Sequence, residues 1–246
     1  MRLDWPRALI FDVDETLAET EEAHRLSFNQ AFAEANLDWN WSQDVYRKLL
    51  NVTGGKERIA HYIADWISLP LPQDADALIR KLHTRKTELY AARVAGGGIT
   101  LRPGIAELIA EARRRDVTLA IASTTSRANV DVLINACLGA HSVEWFRAIV
   151  CGDIASAKKP APDVYFTTLS ALALAPRQVL AIEDSSNGVR SARAAGLPVV
   201  ATPSLYSAGE FLAERRRSLR CTRHRATNRL VLIGLAEPTM KMAGFA

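Results

Sequence analysis

The chain has 246 residues, 48% hydrophobic and 24% charged, enough for one sizeable core with a smaller domain or lid beside it. No stretch approaches about 18 consecutive apolar residues, and Asp4, Pro6 and Arg7 interrupt the start where a signal peptide needs an apolar run, so a cytosolic protein with no membrane partner is expected. The net charge of +4 is local: Glu214 to Ala246 holds seven Arg and one Lys against two Glu, a net +6 that leaves −2 on residues 1–213. No aromatic residue is interleaved with those arginines for base stacking, so residues 214–246 read as a solvated basic tail and nucleic acid is not an expected partner. Cys137, Cys151 and Cys221 are odd in number and form no Cys-x-x-Cys pair, which indicates neither a disulfide framework nor a zinc knuckle.

The first predicted element is a strand at Ala8 to Phe11 that runs directly into Asp12-Val13-Asp14-Glu15. Two carboxylates one residue apart at the mouth of a core are costly unless they pair, bind a metal or react; an acidic turn is the plainer alternative. Residues 18–93 contain no strand-like run, and Glu21 to Asn36 carries Leu26, Phe28, Phe32 and Ala35 at helical spacing. This stretch reads as a helical insert, left through Ala95-Gly96-Gly97-Gly98 and Arg102-Pro103-Gly104, which suit a hinge. A helical lid over the two acids follows.

Beyond the insert, strands are predicted at Val117 to Ala122, Ala148 to Cys151, Val179 to Ile182 and Pro198 to Ala201. Helices are predicted at Ile105 to Arg115, Arg127 to Cys137, Pro162 to Leu172 and Ser186 to Ala195. This alternation specifies an α/β fold with a doubly wound parallel sheet, built from residues 1–17 and 94–213. Ligands collect at the carboxyl ends of such strands, and the strand ends here deliver Asp12, Ser123, Gly152-Asp153 and Glu183-Asp184. Each is ambiguous alone. Ser123 and Thr124 are ordinary helix caps as well as anion ligands, Lys158-Lys159 is also what a solvated charge pair looks like, and Glu183-Asp184 offers either an acidic cap or hard oxygen ligands for Mg2+.

Taken together, Asp-x-Asp, Ser/Thr, Lys-Pro and Glu-Asp follow one another at strand ends and helix starts of one sheet. Over Ala8 to Pro203 the chain resembles the haloacid dehalogenase-like hydrolase superfamily. The helical insert after the first motif resembles the small-cap subclass, which includes sugar-phosphate phosphatases and β-phosphoglucomutase. The resemblance implies that Asp12 is a nucleophile forming an aspartyl-phosphate and that Asp14 is acid and then base, its pKa raised by the neighbouring acids. It implies Mg2+ on the Asp12 carboxylate, the Asp14 carbonyl and Asp184, with Glu183 nearby, while Lys159, Ser123 and the Thr124 N–H hold the phosphoryl group. A dehalogenase lacks the second aspartate, so Asp14 favours phosphate chemistry.

Leu17 to Arg25, Thr53 to Arg58 and Lys158 to Tyr165 are similar to the CbbY branch, which implies a small-molecule phosphosugar substrate, xylulose 1,5-bisphosphate, for a monomeric enzyme. On that implication Glu19, Thr20 and His24 face the sugar, and Lys56 and Arg58 take the distal phosphate. A β-phosphoglucomutase-like mutase shares every core residue. A phosphosugar-binding protein disabled at Glu15 is a third reading, because the family usually carries Gly there. A two-carbon phosphoglycolate leaves the cationic cap loop without a second phosphate to hold.

Overall fold

The computed structural model describes residues 5–67, 74–152 and 154–208. Asp153 and the basic tail lie outside them. In chain order the first elements are β1 (Ala8–Phe11), α1 (Glu21–Glu34), α2 (Gln43–Leu49), α3 (Gly55–Trp66) and α4 (Ala75–Ala95). There follow α5 (Ile105–Arg114), β2 (Thr118–Ala122), α6 (Arg127–Leu138) and β3 (Phe146–Val150), then α7 (Asp163–Leu172), β4 (Val179–Glu183), α8 (Ser186–Ala194) and β5 (Val199–Ala201).

The five strands form one parallel sheet in the order β3-β2-β1-β4-β5. All four residues of β1 are buried, as a central strand covered on both faces requires. The alternation of its side chains divides the core. Leu9 and Phe11 pack with Ile105, Ile109, Val130 and Leu133 of α5 and α6, whereas Ala8 and Ile10 pack with Val164, Leu169, Val189 and Ala192 of α7 and α8. Strand order reverses on the two sides of β1, so the crevice at its carboxyl end is the switch point where such sheets bind ligands.

β3 begins at Phe146, two residues before the sequence expectation, and ends one residue earlier. Phe146 is buried against the core and paired with Leu119, while the exposed Arg147 beside it breaks the apolar run. β3 lies at the sheet edge, where an outward arginine costs little.

Helices α1 to α4 form a cap with its own core of Phe28, Phe32, Trp41, Tyr46, Ile59 and Leu82. The aromatic rings interlock, with the Phe28 and Trp41 centroids 4.7 Å apart, a spacing favourable beyond burial alone. The chain leaves and re-enters the sheet domain side by side: Ala18 bridges Leu101, and the Arg102 N–H donates to the Leu17 carbonyl. The Arg102 guanidinium donates to the carbonyls of Glu15, Thr202 and Pro203, tying the base of the cap to the loop after β5. No helix among the described residues is long and apolar enough to cross a membrane.

Candidate active site

A cavity of about 170 Å³ lies between the carboxyl ends of β1, β2 and β4 and the underside of the cap. Its floor is a charged cluster. Lys159 Nζ donates to Asp12 Oδ1 and to Glu183 Oε1, each at 2.6 Å, and to the Ala122 carbonyl at 2.9 Å. All three side chains are buried. Lys158 behaves differently from its neighbour, reaching the cap to pair with Glu57 of α3. Adjacent lysines thus serve two domains.

Oxygens of Asp12, Glu183 and Asp184 lie within 4.8 Å of one another. Three buried hard oxygen donors gathered this closely are the donor set that suits Mg2+. Charge balance agrees. One ammonium faces three carboxylates, and burial pushes all of them up: Asp12 is raised, Glu183 is pushed up to about 7 and Asp184 lies well above the usual range, each also repelled by neighbouring acids. The two carboxylates beside Lys159 hold its ammonium charged despite burial. Glu183 Oε1 accepts from Lys159 and the Tyr165 hydroxyl, while its buried Oε2 has no hydrogen-bond partner among the described residues. That oxygen packs over Gly188, where an added Cβ would sit 1.9 Å away; that contact requires a glycine in the first turn of α8.

The helix-cap alternatives are settled by position. Ser126 caps α6, accepting from the Asn129 N–H, and Ser185 caps α8, accepting from the Gly188 N–H. Ser123 is therefore not needed as a cap; it lies buried at the end of β2 and, with Thr124, lines the cavity.

Asp14 departs from the sequence expectation. Burial does raise its pKa, but His24, Thr20 and Lys86 outweigh it and hold the carboxyl well below the usual range. Thr20 Oγ1 donates to Asp14 Oδ1 at 2.6 Å, and His24 Nε2 lies 3.0 Å from the same oxygen. Lys86 Nζ stands 2.7 Å from His24 Nδ1. An ammonium can only donate, so Nδ1 accepts and Nε2 carries the proton given to Asp14, the tautomer assigned from this network. Burial, with Lys86, lowers the His24 pKa, while burial brings Lys86 down to about 8. What opposes the downward shift is burial rather than the neighbouring acids, and the cap's donors outweigh it.

Among the cap residues, Lys56 and Arg58 line the cavity, but Glu19 is exposed and does not. The acid that does is Glu21, two residues on, half-buried and accepting from the Tyr46 hydroxyl. Arg58 donates to that hydroxyl at 2.9 Å. Helical phase explains the difference: α1 begins at Glu21, so Glu21 and His24 share a face, whereas Glu19 precedes the helix. Lys86 and His83, one turn apart on α4, also reach the cavity. Sequence reading passed over both because the mean polarity of α4 hides its inward stripe; the spacing of His83, Lys86 and Tyr90 was the available signal.

Comparisons with known proteins agree with this geometry. The family model for haloacid dehalogenase-like hydrolases matches residues 9–202. Protein CbbY of Rhodobacter capsulatus is 52% identical over 204 residues, 83% of this chain and 88% of that protein. The crystal structure of CbbY from Rhodobacter sphaeroides in complex with phosphate superposes with a TM-score of 0.78 at 47% identity, covering 82% of this chain and 88% of that one. A mutant of the same protein, in complex with xylulose-(1,5)bisphosphate, matches with a TM-score of 0.78 at 46% identity over 83% and 89% of the two chains. With its motifs at the strand ends and its cap over them, the chain belongs to the haloacid dehalogenase-like hydrolase family.

Proposed function

We propose that the protein is a Mg2+-dependent phosphosugar phosphatase whose substrate is xylulose 1,5-bisphosphate. The observation that carries this reading is a single cavity with a buried carboxylate cluster at its floor and Lys56 and Arg58 in its roof, a spacing suited to a ligand anionic at both ends. Support comes also from the similar CbbY protein solved with that bisphosphate.

The chemistry divides a difficult displacement into two steps. An Asp12 carboxylate oxygen attacks phosphorus and the bond to the ester oxygen breaks, leaving an aspartyl-phosphate while Asp14 gives its proton to the departing alkoxide. Asp14 then takes a proton from water, whose oxygen attacks phosphorus and frees the Asp12 carboxylate with inorganic phosphate. The neutral acid needed first is supplied when substrate arrives protonated or when Asp14 takes a proton in the complex. Mg2+, held by Asp12, Asp184 and the Asp14 carbonyl, would offset repulsion between the nucleophile and the anionic phosphoryl group. Lys159, Ser123 and the Thr124 N–H stabilise the transferring oxygens, and Glu21 accepts from sugar hydroxyls. The closed cap limits water to the second step.

The test is phosphate release with Mg2+ over pentulose bisphosphates, hexose phosphates and phosphoglycolate, with Asp12→Asn as control. Selective turnover of the pentulose bisphosphate supports the reading. Conversion of glucose 1-phosphate to glucose 6-phosphate without net phosphate release would replace it with a mutase.

A further inference from the structure

Glu15 occupies a position hostile to most side chains. Its φ is 59°, in the left-handed region where a Cβ crowds the following carbonyl, and it is only 3% exposed. The resemblance leads one to expect Gly here, which takes this conformation without strain. A buried glutamate in its place needs a compensating contact, and the first turn of the cap supplies one. Glu15 Oε1 accepts from the backbone N–H of Glu21 at 2.9 Å.

That N–H begins α1 and has no acceptor within the helix. Thr20 stands at the N-cap of α1, but its side chain makes no capping hydrogen bond; its hydroxyl instead donates to Asp14. A carboxylate brought in from the sheet domain therefore caps a helix whose own N-cap is engaged at the reacting acid. Negative charge at a helix N-terminus is favourable in itself. The anchor is firm on the core side as well: the Glu15 N–H donates to the Ala18 carbonyl, and its carbonyl accepts from Arg102.

We propose that Glu15 is a positioning residue, a latch that holds the first turn of the cap against the core and so keeps Thr20 and His24 in register on Asp14. Thr20 adjoins Glu21 and His24 lies one turn beyond it, so loosening this turn lets both donors drift from the carboxylate they orient. Glu15 also lines the cavity, but its Oε1 is given to the Glu21 N–H, so on this proposal its effect passes through α1.

Three substitutions separate this role from backbone strain. Glu15→Gly relieves the strained φ and deletes the acceptor, Glu15→Asn tolerates the left-handed region but is too short to reach Glu21, and Glu15→Gln keeps an oxygen of the same reach. Hydrogen–deuterium exchange of the full chain should speed up about five- to tenfold at Glu21 to His24 in the Gly and Asn variants, with β2 and β4 unchanged. In those variants kcat for phosphate release should fall about tenfold with KM within about twofold. Glu15→Gln should recover most of the protection and most of kcat. Unchanged exchange at the start of α1 in both short variants overturns the latch, and so does faster exchange with kcat intact. Positioning of Asp14 bears on turnover through the proposed acid and base role, whereas the exchange readout needs no reaction at all, so failure of the latch is distinguishable from failure of the mechanism.

Discussion

His24 Nε2 lies 3.0 Å from Asp14 Oδ1, so a cap residue directly contacts the carboxylate two residues after Asp12. Opening the cap removes this donor together with Thr20. Asp14 then loses the partners that hold its pKa down, and the sign follows: a carboxylate deprived of hydrogen-bond donors and a nearby ammonium is less stable charged, so its pKa rises.

The first prediction concerns that contact. His24→Asn should lower kcat by about ten- to a hundredfold, the scale of general acid–base contributions, and should move the acid limb of the kcat profile to higher pH. Steady-state kinetics from pH 4.5 to 8 would check it. A lowered kcat with an unmoved acid limb would assign His24 to substrate binding.

Most of the core of this arrangement was legible in the sequence, and physics explains why. Strands β1, β2 and β4 are uninterrupted apolar runs ending in Asp12, Ser123 and Glu183-Asp184, so a central strand and its reactive tip are written contiguously. The cap was less legible because its pocket residues are dispersed over α1, α3 and α4. Glu21, Arg58 and Lys86 meet only through tertiary packing, and the choice between Glu19 and Glu21 turns on where α1 begins. The lowered pKa of Asp14 needs three-dimensional distances to His24 and Lys86 that neighbouring acids in sequence do not suggest.

On the proposed function, Mg2+ and protons would compete for the acidic floor. Burial raises the Asp12, Glu183 and Asp184 pKa values, Glu183 to about 7. For such groups the folded state binds protons more tightly than the unfolded one. Their contribution to stability is full below the unfolded values near 4 and is lost as pH rises through about 7. Metal-free protein should therefore lose stability from this cluster over that span, while added Mg2+ supplies the missing charge. The Mg2+-induced rise in Tm should grow from pH 5 to pH 7.5 and vanish in Asp184→Asn, as thermal melts with Mg2+ or a chelator would reveal; a rise independent of pH would place the ion elsewhere.

Lys159 is paired twice in a buried site, so truncating it leaves two carboxylates facing each other without a cation. Lys159→Met should destabilise the metal-free protein by about 3–5 kcal/mol and abolish measurable turnover. Mg2+ should restore part of the stability but not the activity, since its charge replaces the ammonium electrostatically without donating to the phosphoryl oxygens. Denaturant melts with and without the ion, alongside activity, distinguish the two losses.

Lys56 and Arg58 line the same cavity but are engaged differently. Arg58 donates to the Tyr46 hydroxyl, which in turn donates to Glu21, so Arg58→Ala disturbs both a cation and the orientation of the Glu21 carboxylate. Lys56 is exposed at the rim, and its removal deletes charge with little structural cost. Lys56→Ala should raise KM for a pentulose bisphosphate about tenfold, the scale of one hydrogen bond to a charged group, and leave KM for a small aryl phosphate within about twofold. Arg58→Ala should impair both substrates if the cap helices shift, but the bisphosphate more. Equal losses on the two substrates in Lys56→Ala would remove the distal phosphate from this end of the cavity and return substrate selection to Glu21 and the residues of α4.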